Sequence, residues 1–446
     1  MDVANDLKDR RWESMKRLAD DFFSAFAAFF SVLLSVVFVP MMYSRAGMDF
    51  IGCYSATVIF SAISTFCAGH FANIPLIIVP SIALNGYLAY CVIISKGIPW
   101  QDALGLYLIA SVIFALLVLS NLRDKFVDSF PPAVKKGLMA GIGIFIAVFA
   151  LMQGHLIMPS PVTLVTLGDL ADPMAYLSLV GLVLAMMLSA LKVRGAFFYA
   201  MMFTAVLAFI EGSFEIPRSP FMLPINIDKV SVSVYFGYLL EILDMGDSGD
   251  VGEILTIILT IFSVMVFETM GVISPAVQSL NDENINKEDA EKKSLIVSAF
   301  SSAIGILAGA VGLLPSMGTF VTSRTAANRS KAAKIASFLF LIALFCAPTV
   351  KAIAEMPAII VPPLVMAGAM LFFHGASFAF EKRNDVTEIL PAFLTMVAIP
   401  FSYSIADGIG IGIISYVVLK ATTKHWKEIN ALTIFFAIIW LIHYIF

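Results

Sequence analysis

Long apolar runs alternate with short polar segments along almost the whole of this 446-residue chain. A run of about 17 to 25 apolar residues is long enough for one helix to cross a bilayer. The pattern therefore predicts an all-α, polytopic membrane protein with about 14 transmembrane helices. The predicted helices, 1 to 14 in chain order, are 21–42, 48–69, 74–95, 102–121, 132–153, 174–192, 195–211, 252–275, 294–314, 315–328, 332–350, 358–376, 387–404 and 406–422. A last apolar run, 428–446, predicts either a further span or a helix that lies in the membrane interface.

Polar and helix-breaking residues interrupt two of these runs. The first break lies in residues 73–90, and the second lies in residues 312–323, which read G-L-L-P-S-M-G-T-F-V-T-S. In the first break four residues stand where Leu or Ile is expected: Pro80, Ser81, Asn85 and Gly86. Proline removes a backbone donor, and unsatisfied backbone at membrane depth is tolerated only inside protein or beside a watery cavity. Two interrupted segments in matching halves indicate a transporter's binding site, so predicted helices 3 and 10 are interpreted as broken helices.

The two halves of the chain show an internal repeat. Pro131 and Pro132 open predicted helix 5, and Pro362 and Pro363 lie in predicted helix 12, each pair about 45 residues after the break of its half. Glycines follow both pairs within predicted helices 5 and 12. Because each half has an odd number of spans, the two seven-helix repeats are predicted to be inverted in the membrane.

Charge placement supports this topology. Of the 28 Lys and Arg residues, 23 fall in segments that are cytoplasmic when the N-terminus is cytoplasmic. The other five, Arg45, Lys96, Arg218, Lys229 and Lys351, fall in outer segments. An excess of Lys and Arg in cytoplasmic segments sets the orientation of membrane proteins, so the N-terminus is predicted to be cytoplasmic.

Composition narrows the class of protein. The chain is 60% hydrophobic and 13% charged, with a mean hydropathy of +0.92, whereas soluble domains are about a quarter charged. The first 19 residues are too charged for a cleavable signal peptide. The four cysteines lie in or beside apolar runs and fit neither a disulfide framework nor a metal site, and no phosphate-binding loop is present in the sequence. The prediction is therefore a protein that is not an enzyme, with no cofactor, no metal and no nucleic acid partner.

Glu268 is the sharpest candidate for chemistry. It lies in the middle of predicted helix 8, with apolar residues for two turns on either side. An ionised carboxylate there is costly to bury, so such residues face a cavity or a partner and mark substrate or proton pathways. The structural alternative is a glutamate that reaches the interface near a helix end.

Asn85 and Ser81 form a second candidate pair. A half-helix that starts near Ser81 would direct free N–H groups and the positive end of its dipole into the first break. Asn85 lies one turn further along the same face and offers both a donor and an acceptor. The alternative is that Asn85 holds helices together by hydrogen bonds.

The second break supplies a further set of hydroxyl groups. Its polar side chains are Ser316, Thr319, Thr322 and Ser323. Arg324 follows them, and it points either to the cytoplasm or back toward Glu268. Asp407 is interpreted as a structural cap at the start of predicted helix 14.

The motifs of the chain resemble those of a known family. The closest resemblance is to nucleobase permeases of the xanthine–uracil / nucleobase–ascorbate superfamily, in the adenine–guanine–hypoxanthine permease branch. The motifs that carry it are L-P-A-F-L-T-M-V-A-I-P-F-S-Y-S-I-A-D-G-I (390–409), A-G-I-G-I-F-I-A (140–147), V-T-L-G-D-L (165–170) and P-S-I-A-L-N-G-Y (80–87). The branch typically has P-G-M-G-L-N-A-Y at the last of these.

The resemblance implies a core domain of helices 1–4 and 8–11 and a gate domain of helices 5–7 and 12–14. The expected boundaries are a cytoplasmic N-terminus (1–19), core halves (20–121 and 251–350), gate halves (122–211 and 351–422), an extracytoplasmic connection (212–250) and a C-terminal apolar segment (423–446). Substrate is expected between the two breaks.

The resemblance also implies roles for individual residues. Asn85 matches an asparagine that helps to bind purine, and Glu268 matches the helix 8 carboxylate, expected to bind substrate and to couple protons. The expected substrate site also includes Ser81 and Ala83, which replace two glycines of the branch, together with Thr319, Thr322 and Ser323. Two expected acids are replaced, one by Met265 and the other by Thr322.

The sequence thus predicts a permease in the cell membrane that imports a purine-type base by proton symport, with a homodimer as one option for its assembly. Adenine, guanine and hypoxanthine are the candidate bases, and another cation is the alternative to the proton. Two other functions stay open, namely a permease of the same fold for another small solute or anion, and a membrane receptor that does not transport.

Overall fold

The computed structural model describes residues 20–445 apart from 23, 27, 30–31, 34, 121–129, 192, 194–195, 216, 218, 220, 222–250, 279, 281–285, 317–318, 320–328, 382–384 and 403. The chain is mostly helical, as the pattern of apolar runs predicts. The helices of the first half are α1 (20–45), α2 (Phe50–Cys67), α3 (Ile82–Gly86), α4 (Trp100–Leu119), α5 (Pro132–Gln153), α6 (Pro173–Ala190) and α7 (Ala196–Ile210). Those of the second half are α8 (Val251–Gln278), α9 (Lys287–Leu307), α10 (Arg329–Leu344), α11 (Ala347–Glu355), α12 (Pro357–Glu381), α13 (Val386–Ser402), α14 (Ile405–Thr422) and α15 (Ala431–Ile445).

Several helices have the length and apolarity that a membrane span needs. Within the described ranges, seven helices meet this condition alone, and α10 with α11, bent by 81° at the break between them, meets it as a pair. Four shorter apolar helices add to them, at Ile82–Ser95, Tyr199–Ile210, Val386–Ser402 and Ala431–Ile442. The predicted class, a polytopic helical membrane protein, is confirmed.

The two breaks meet as a pair of short antiparallel strands. Strand β1 (Ile78–Pro80) precedes α3, and strand β4 (Leu313–Pro315) follows α9. Ile78 lies opposite Pro315, and Pro80 lies opposite Leu313. Both strands are buried, and pairing them satisfies backbone groups that lipid would leave without partners. The predicted helix 3 therefore begins only at Ile82, after an extended segment, and predicted helix 10 lies mostly outside the described residues.

Other predicted boundaries also change. Helix α9 begins seven residues before the predicted start at 294, because the Asn286 side chain caps it by accepting hydrogen bonds from the N–H groups of Glu288 and Asp289. The predicted helix 332–350 is divided, because Pro348 starts the separate helix α11. A short hairpin of β2 (Ile157–Ser160) and β3 (Leu164–Leu167) lies between α5 and α6, where no strand is predicted. A π-helical segment, Tyr87–Ser95, continues α3.

Two groups of helices pack among themselves. In the first, α2 packs on α10 and α4 packs on α8 and α9. In the second, α5 packs on α12 and α13, α6 packs on α7 and α12, and α13 packs on α14. Gly143 and Gly368 allow a close approach of α5 and α12, since a Cβ at Gly143 would lie 2.5 Å from the Gly368 carbonyl oxygen. Small residues of this kind let helix backbones pack tightly in membranes. The groups meet where α3 contacts α5 and α8 contacts α14.

Candidate functional site

Ser81 and Glu268 meet at the start of α3. Ser81 is the N-cap of this helix, and its Oγ accepts a hydrogen bond from the Leu84 N–H at 3.2 Å. The same hydroxyl donates to Glu268 Oε2 at 2.7 Å. Glu268 lies on α8 with a partly exposed side chain, while its neighbours Phe267 and Thr269 are buried. The sequence predicts that Glu268 faces a cavity or a partner, and in the structure it contacts Ser81 of the first break.

The Glu268 carboxylate carries its charge with little compensation. Among the described residues, Ser81 is its hydrogen-bond partner and no cationic side chain pairs with it. Arg324, for which one alternative is a contact with Glu268, lies outside the described residues. Helix geometry leaves the N–H groups of Ile82 and Ala83, in the first turn of α3, without partners inside the helix. The site therefore combines a carboxylate acceptor with backbone donors beside it.

Asn85 connects the two breaks. Its Oδ1 accepts hydrogen bonds from Tyr43 Oη at 3.0 Å and from the Gly312 N–H at 3.2 Å. Its Nδ2 donates to the carbonyl oxygens of Ser81 at 2.7 Å and Gly312 at 2.9 Å. The Asn85 side chain is fully buried. Breaking any one of these hydrogen bonds would therefore leave a buried polar group without a partner. A base contact through Asn85 would require such an opening, and the predicted role in substrate binding stays a prediction.

Gly312 has a steric reason to be glycine. A Cβ on Gly312 would lie 1.7 Å from Cε1 of Tyr107, so the Tyr107 ring fills the space that any side chain would need. The sequence pattern predicts neither Gly312 nor Tyr43 as a site residue. A glycine that opens a break is a signal for close backbone approach, whereas nothing in the sequence marks Tyr43.

The second break contributes backbone and hydroxyl groups. Thr319 Oγ1 accepts a hydrogen bond from the Ile77 N–H at 3.1 Å, and the Ser316 N–H donates to the Ile77 carbonyl oxygen at 2.9 Å. Thr319 thus holds the strand before the first break, and any contact with substrate stays a prediction. Two hydroxyl groups near the breaks, Ser316 Oγ and Thr269 Oγ1, have no hydrogen-bond partner within the described ranges. Thr322 and Ser323 lie outside the described residues.

Two further positions belong to the packed interior. Ala83 is 4% exposed on α3. Met265 is fully buried on α8, and its Sδ lies 3.8 Å from Ser111 Oγ. The resemblance to the permease branch implies a second acid at this position. In this chain Met265 packs in the interior instead.

One interpretation from sequence is wrong. Asp407 does not cap α14, because the cap is Ser404, whose Oγ accepts a hydrogen bond from the Asp407 N–H at 3.2 Å. Asp407 lies in the first turn of the helix, where the helix dipole stabilises a negative charge. In the part of the chain that the structure describes, no group of three or more His, Cys, Asp or Glu residues could hold a metal ion.

The paired breaks, a carboxylate with one hydroxyl partner on an apolar helix and several apolar spans are typical of a membrane transporter of the permease class. The model of the Permease family (Xan_ur_permease) matches residues 20–411, and the chain belongs to this family. It is a permease and not an enzyme.

Similar proteins cover nearly the same length. The chain is 33% identical to "Putative permease MJ0326" of Methanocaldococcus jannaschii over 94% of this chain and 93% of the relative. It is 28% identical to "Guanine/hypoxanthine permease PbuO" of Bacillus subtilis over 96% of this chain and 98% of the relative.

A solved structure shares the fold. The transmembrane domain of a cyanobacterium bicarbonate transporter, BicA, aligns with a TM-score of 0.58 and 17% identity over 88% of this chain and 97% of that chain. At this identity the likeness establishes the fold and nothing about the solute, and it is consistent with the predicted pair of inverted seven-helix repeats.

Proposed function

We propose that this permease is a secondary active transporter that imports a purine-type nucleobase, such as guanine, hypoxanthine or adenine, by proton symport. The observation that carries the proposal is the pairing of Glu268 with the N-cap of α3 at the junction of the two breaks. A purine base presents ring and exocyclic N–H groups, and a carboxylate is an acceptor that can bind two of them. The name of the Bacillus subtilis relative supports a purine as the substrate.

The proposed cycle uses the two helix groups as rigid bodies. Residues 20–121 and 251–350 are the core, and residues 122–211 and 351–422 are the gate. The substrate lies between them at the breaks, which belong to the core. Movement of the core relative to the gate opens the site to one side of the membrane and then to the other. The contacts of α3 with α5 and of α8 with α14 are where the two bodies would slide.

Glu268 is the proposed coupling group. In its ionised form the carboxylate accepts the N–H groups of the base. In its protonated form it still accepts one N–H group and donates its own O–H to a ring nitrogen or carbonyl oxygen of the base, so that proton and base can cross together, as symport requires. Proton binding and release therefore change the affinity for the base as the site changes sides. We place the protein in the cell membrane with a cytoplasmic N-terminus, and the distribution of Lys and Arg along the chain supports this orientation.

The test is uptake of radiolabelled guanine, hypoxanthine, adenine, xanthine and uracil by cells that lack their own base permeases. We expect saturable uptake of at least one purine, dependent on the proton gradient and abolished in Glu268→Gln. The control Glu211→Gln changes an exposed glutamate at the end of α7 and should transport normally. Full uptake by the Glu268 variant would refute the coupling role, and binding without flux in proteoliposomes would indicate a receptor.

An anion is the less suitable substrate. Two half-helix N-termini would attract an anion, but Glu268 places a negative charge beside one of them. Stabilisation of the purified protein by bicarbonate or another anion, with no response to any base, would reverse this preference.

A further inference from the structure

A cavity of about 390 Å³ lies apart from Glu268, next to the last residues of the first break. Its wall comes from the π-helical continuation of α3, the first turns of α8 and the junction of α13 with α14. Tyr87, Tyr90, Lys96, Glu253 and Asp407 are among the lining residues, whereas Ser81 and Glu268 are not. A volume of this size falls within the range of pockets that enclose small molecules.

The cavity lies toward the predicted outer face of the membrane. Glu253 precedes Glu268 by 15 residues on α8, which corresponds to about 22 Å along the helix axis. Lys96, which follows the π-helical segment, is one of the few basic residues in predicted outer segments. Tyr87 marks its inner end, two residues after Asn85. The cavity thus occupies the path between the outer surface and the site at the breaks.

The charges around the cavity select the kind of ligand. Lys96 and Glu253 form an ion pair with each other, so their charges largely cancel. The Asp407 carboxylate has no hydrogen-bond or ion-pair partner among the described residues, and it lines the cavity. One uncompensated negative charge favours a ligand that donates N–H groups and disfavours an anion.

The remaining walls suit a flat ring. Tyr87 is buried and lines the cavity. Tyr90 also lines it and packs against Phe149 with ring centroids 4.6 Å apart. Aromatic side chains fixed in this way offer an apolar face on which a planar heterocycle can stack. Ser402 and Ser404 lie on the α13–α14 side of the same cavity.

We propose that this cavity is a second, outer binding site for a planar nitrogen heterocycle of the purine type, in which Asp407 accepts ring or exocyclic N–H groups of the base. The base occupies this site before it reaches Glu268. The inference rests on the proposed function, because it takes the transported base as the ligand of the outer site.

The test measures protection of a thiol inside the cavity. Ser402→Cys is introduced after Cys53, Cys67, Cys91 and Cys346 have been replaced by alanine, and intact cells are treated with a membrane-impermeant maleimide. Guanine, hypoxanthine or adenine should slow labelling of the introduced thiol. The same protection should persist with Glu268→Gln, because the outer site does not need that carboxylate.

Asp407→Asn supplies the decisive comparison. It should raise the base concentration for half-protection about 10-fold or more, since it replaces a charge-assisted acceptor by a neutral one. The matched control is Asp172→Asn, which changes a partly exposed aspartate that caps α6 and pairs with His155, away from the cavity. Asparagine is also a good N-cap, so this variant should leave protection unchanged.

The possible failures are distinguishable. If the protein transports a base but Asp407→Asn does not affect protection, or if protection disappears with Glu268→Gln, the outer site is wrong and the proposed function stands. Lack of labelling from outside would contradict the outer position of the cavity. If no base is bound or transported, the proposed function fails, and the outer base site fails with it.

Discussion

Glu268 and Lys420 are two charged side chains on spanning helices, and their surroundings differ in kind. Glu268 has one neutral partner, the Ser81 hydroxyl. Lys420, on α14, is 2% exposed, and its Nζ lies 3.0 Å from Glu388, 2.6 Å from Glu428 and 3.8 Å from Asp385. The lysine is thus surrounded by acceptors, whereas the described part of the chain gives the glutamate no opposite charge.

The difference indicates which charge serves structure and which is left for a ligand. An ion removed from water needs partners that replace its hydration, and Lys420 has them within the protein. Its partners come from the segment before α13, from α13 itself and from the turn before α15, so the cluster joins three parts of the chain. The carboxylate of Glu268 keeps acceptor capacity that a bound molecule or a proton can use.

The Lys420 cluster also positions the C-terminal helix. Helix α15 packs on α14 and contacts α8, and Trp440 is 1% exposed. Phe436 of this helix lies 5.0 Å from the ring of Phe130, which lies 4.7 Å from the ring of Phe267, the neighbour of Glu268. The last apolar run of the sequence is therefore a packed helix that touches both helix groups.

The largest effect on stability is expected from Lys420→Met. Removing the lysine leaves its carboxylates unpaired, and we expect a loss of about 2–4 kcal/mol, at the lower end because Asp385 and Glu428 are half exposed. The measurement is the thermal unfolding midpoint of the purified protein in detergent. Lys427→Met is the control, since Lys427 is an exposed lysine in the neighbouring turn. Equal midpoints for the two variants would show that the cluster is not structural.

Glu268→Gln, unlike Lys420→Met, should weaken base binding without lowering the stability of the protein. Base binding should weaken about 10- to 100-fold, because charge-assisted hydrogen bonds of about 1.5–3 kcal/mol are lost. The unfolding midpoint should not fall, because the variant removes a charge that has no ionic partner among the described residues. A large drop in the midpoint with unchanged affinity would mean that Glu268 acts as Lys420 does, in structure alone.

Two substitutions of Ser81 distinguish its role as the N-cap of α3 from its hydrogen bond to Glu268. Ser81→Ala should cost about 1 kcal/mol of stability and reduce base uptake several-fold, because it removes both the cap and the hydrogen bond to Glu268. Ser81→Gly keeps an acceptable N-cap, at a cost of about a few tenths of a kcal/mol, but still removes that hydrogen bond.

Uptake and unfolding midpoints of the two Ser81 variants give the comparison. If the glycine variant matches the native protein in both, the hydroxyl does not position Glu268. If it keeps the midpoint and loses uptake, the hydroxyl acts on the site.

The smallest effect is a dependence of stability on pH at the Lys420 cluster. The hydrogen bond from Lys420 lowers the pKa of Glu428, and the hydrogen bond from Thr387 lowers the pKa of Asp385. A carboxyl with a lowered pKa in the folded state stabilises the protein above its unfolded pKa of about 4. That stabilisation is lost as the pH falls through the lower, folded pKa. Glu428→Gln should therefore reduce the change in unfolding midpoint between pH 7 and acidic pH, and an unchanged pH profile would exclude this linkage.

Several local features follow directly from the sequence. The apolar runs predict the helices, because a helix in lipid must satisfy its own backbone and present an apolar surface. The breaks at Pro80 and Pro315 are visible for the same reason, since proline cannot continue the backbone ladder. A carboxylate as isolated as Glu268 is conspicuous in an apolar run, and so is the hydroxyl of Ser81 beside a proline.

Contacts between distant segments were not predictable in this way. Lys420 counts in the sequence as an ordinary basic residue at a helix end, yet it is buried. Asn85 is conspicuous as a polar residue, but two of its three partner residues, Tyr43 and Gly312, lie far away along the chain. Asp407 and Ser404 both suit the start of a helix, and only the backbone path makes Ser404 the cap.

The sequence alone thus determined the class of protein, the helices and the two places where they break, because these depend on local composition and on the constraint that lipid imposes on every backbone group. The tertiary structure decided which polar groups are already used. It joins β1 to β4, gives Asn85 four hydrogen bonds and Lys420 three carboxylates, and leaves Glu268 with one hydroxyl and Asp407 at a cavity. The physical reason is that a hydrogen bond or an ion pair depends on the distance between two groups, and that distance is fixed only when remote segments pack together.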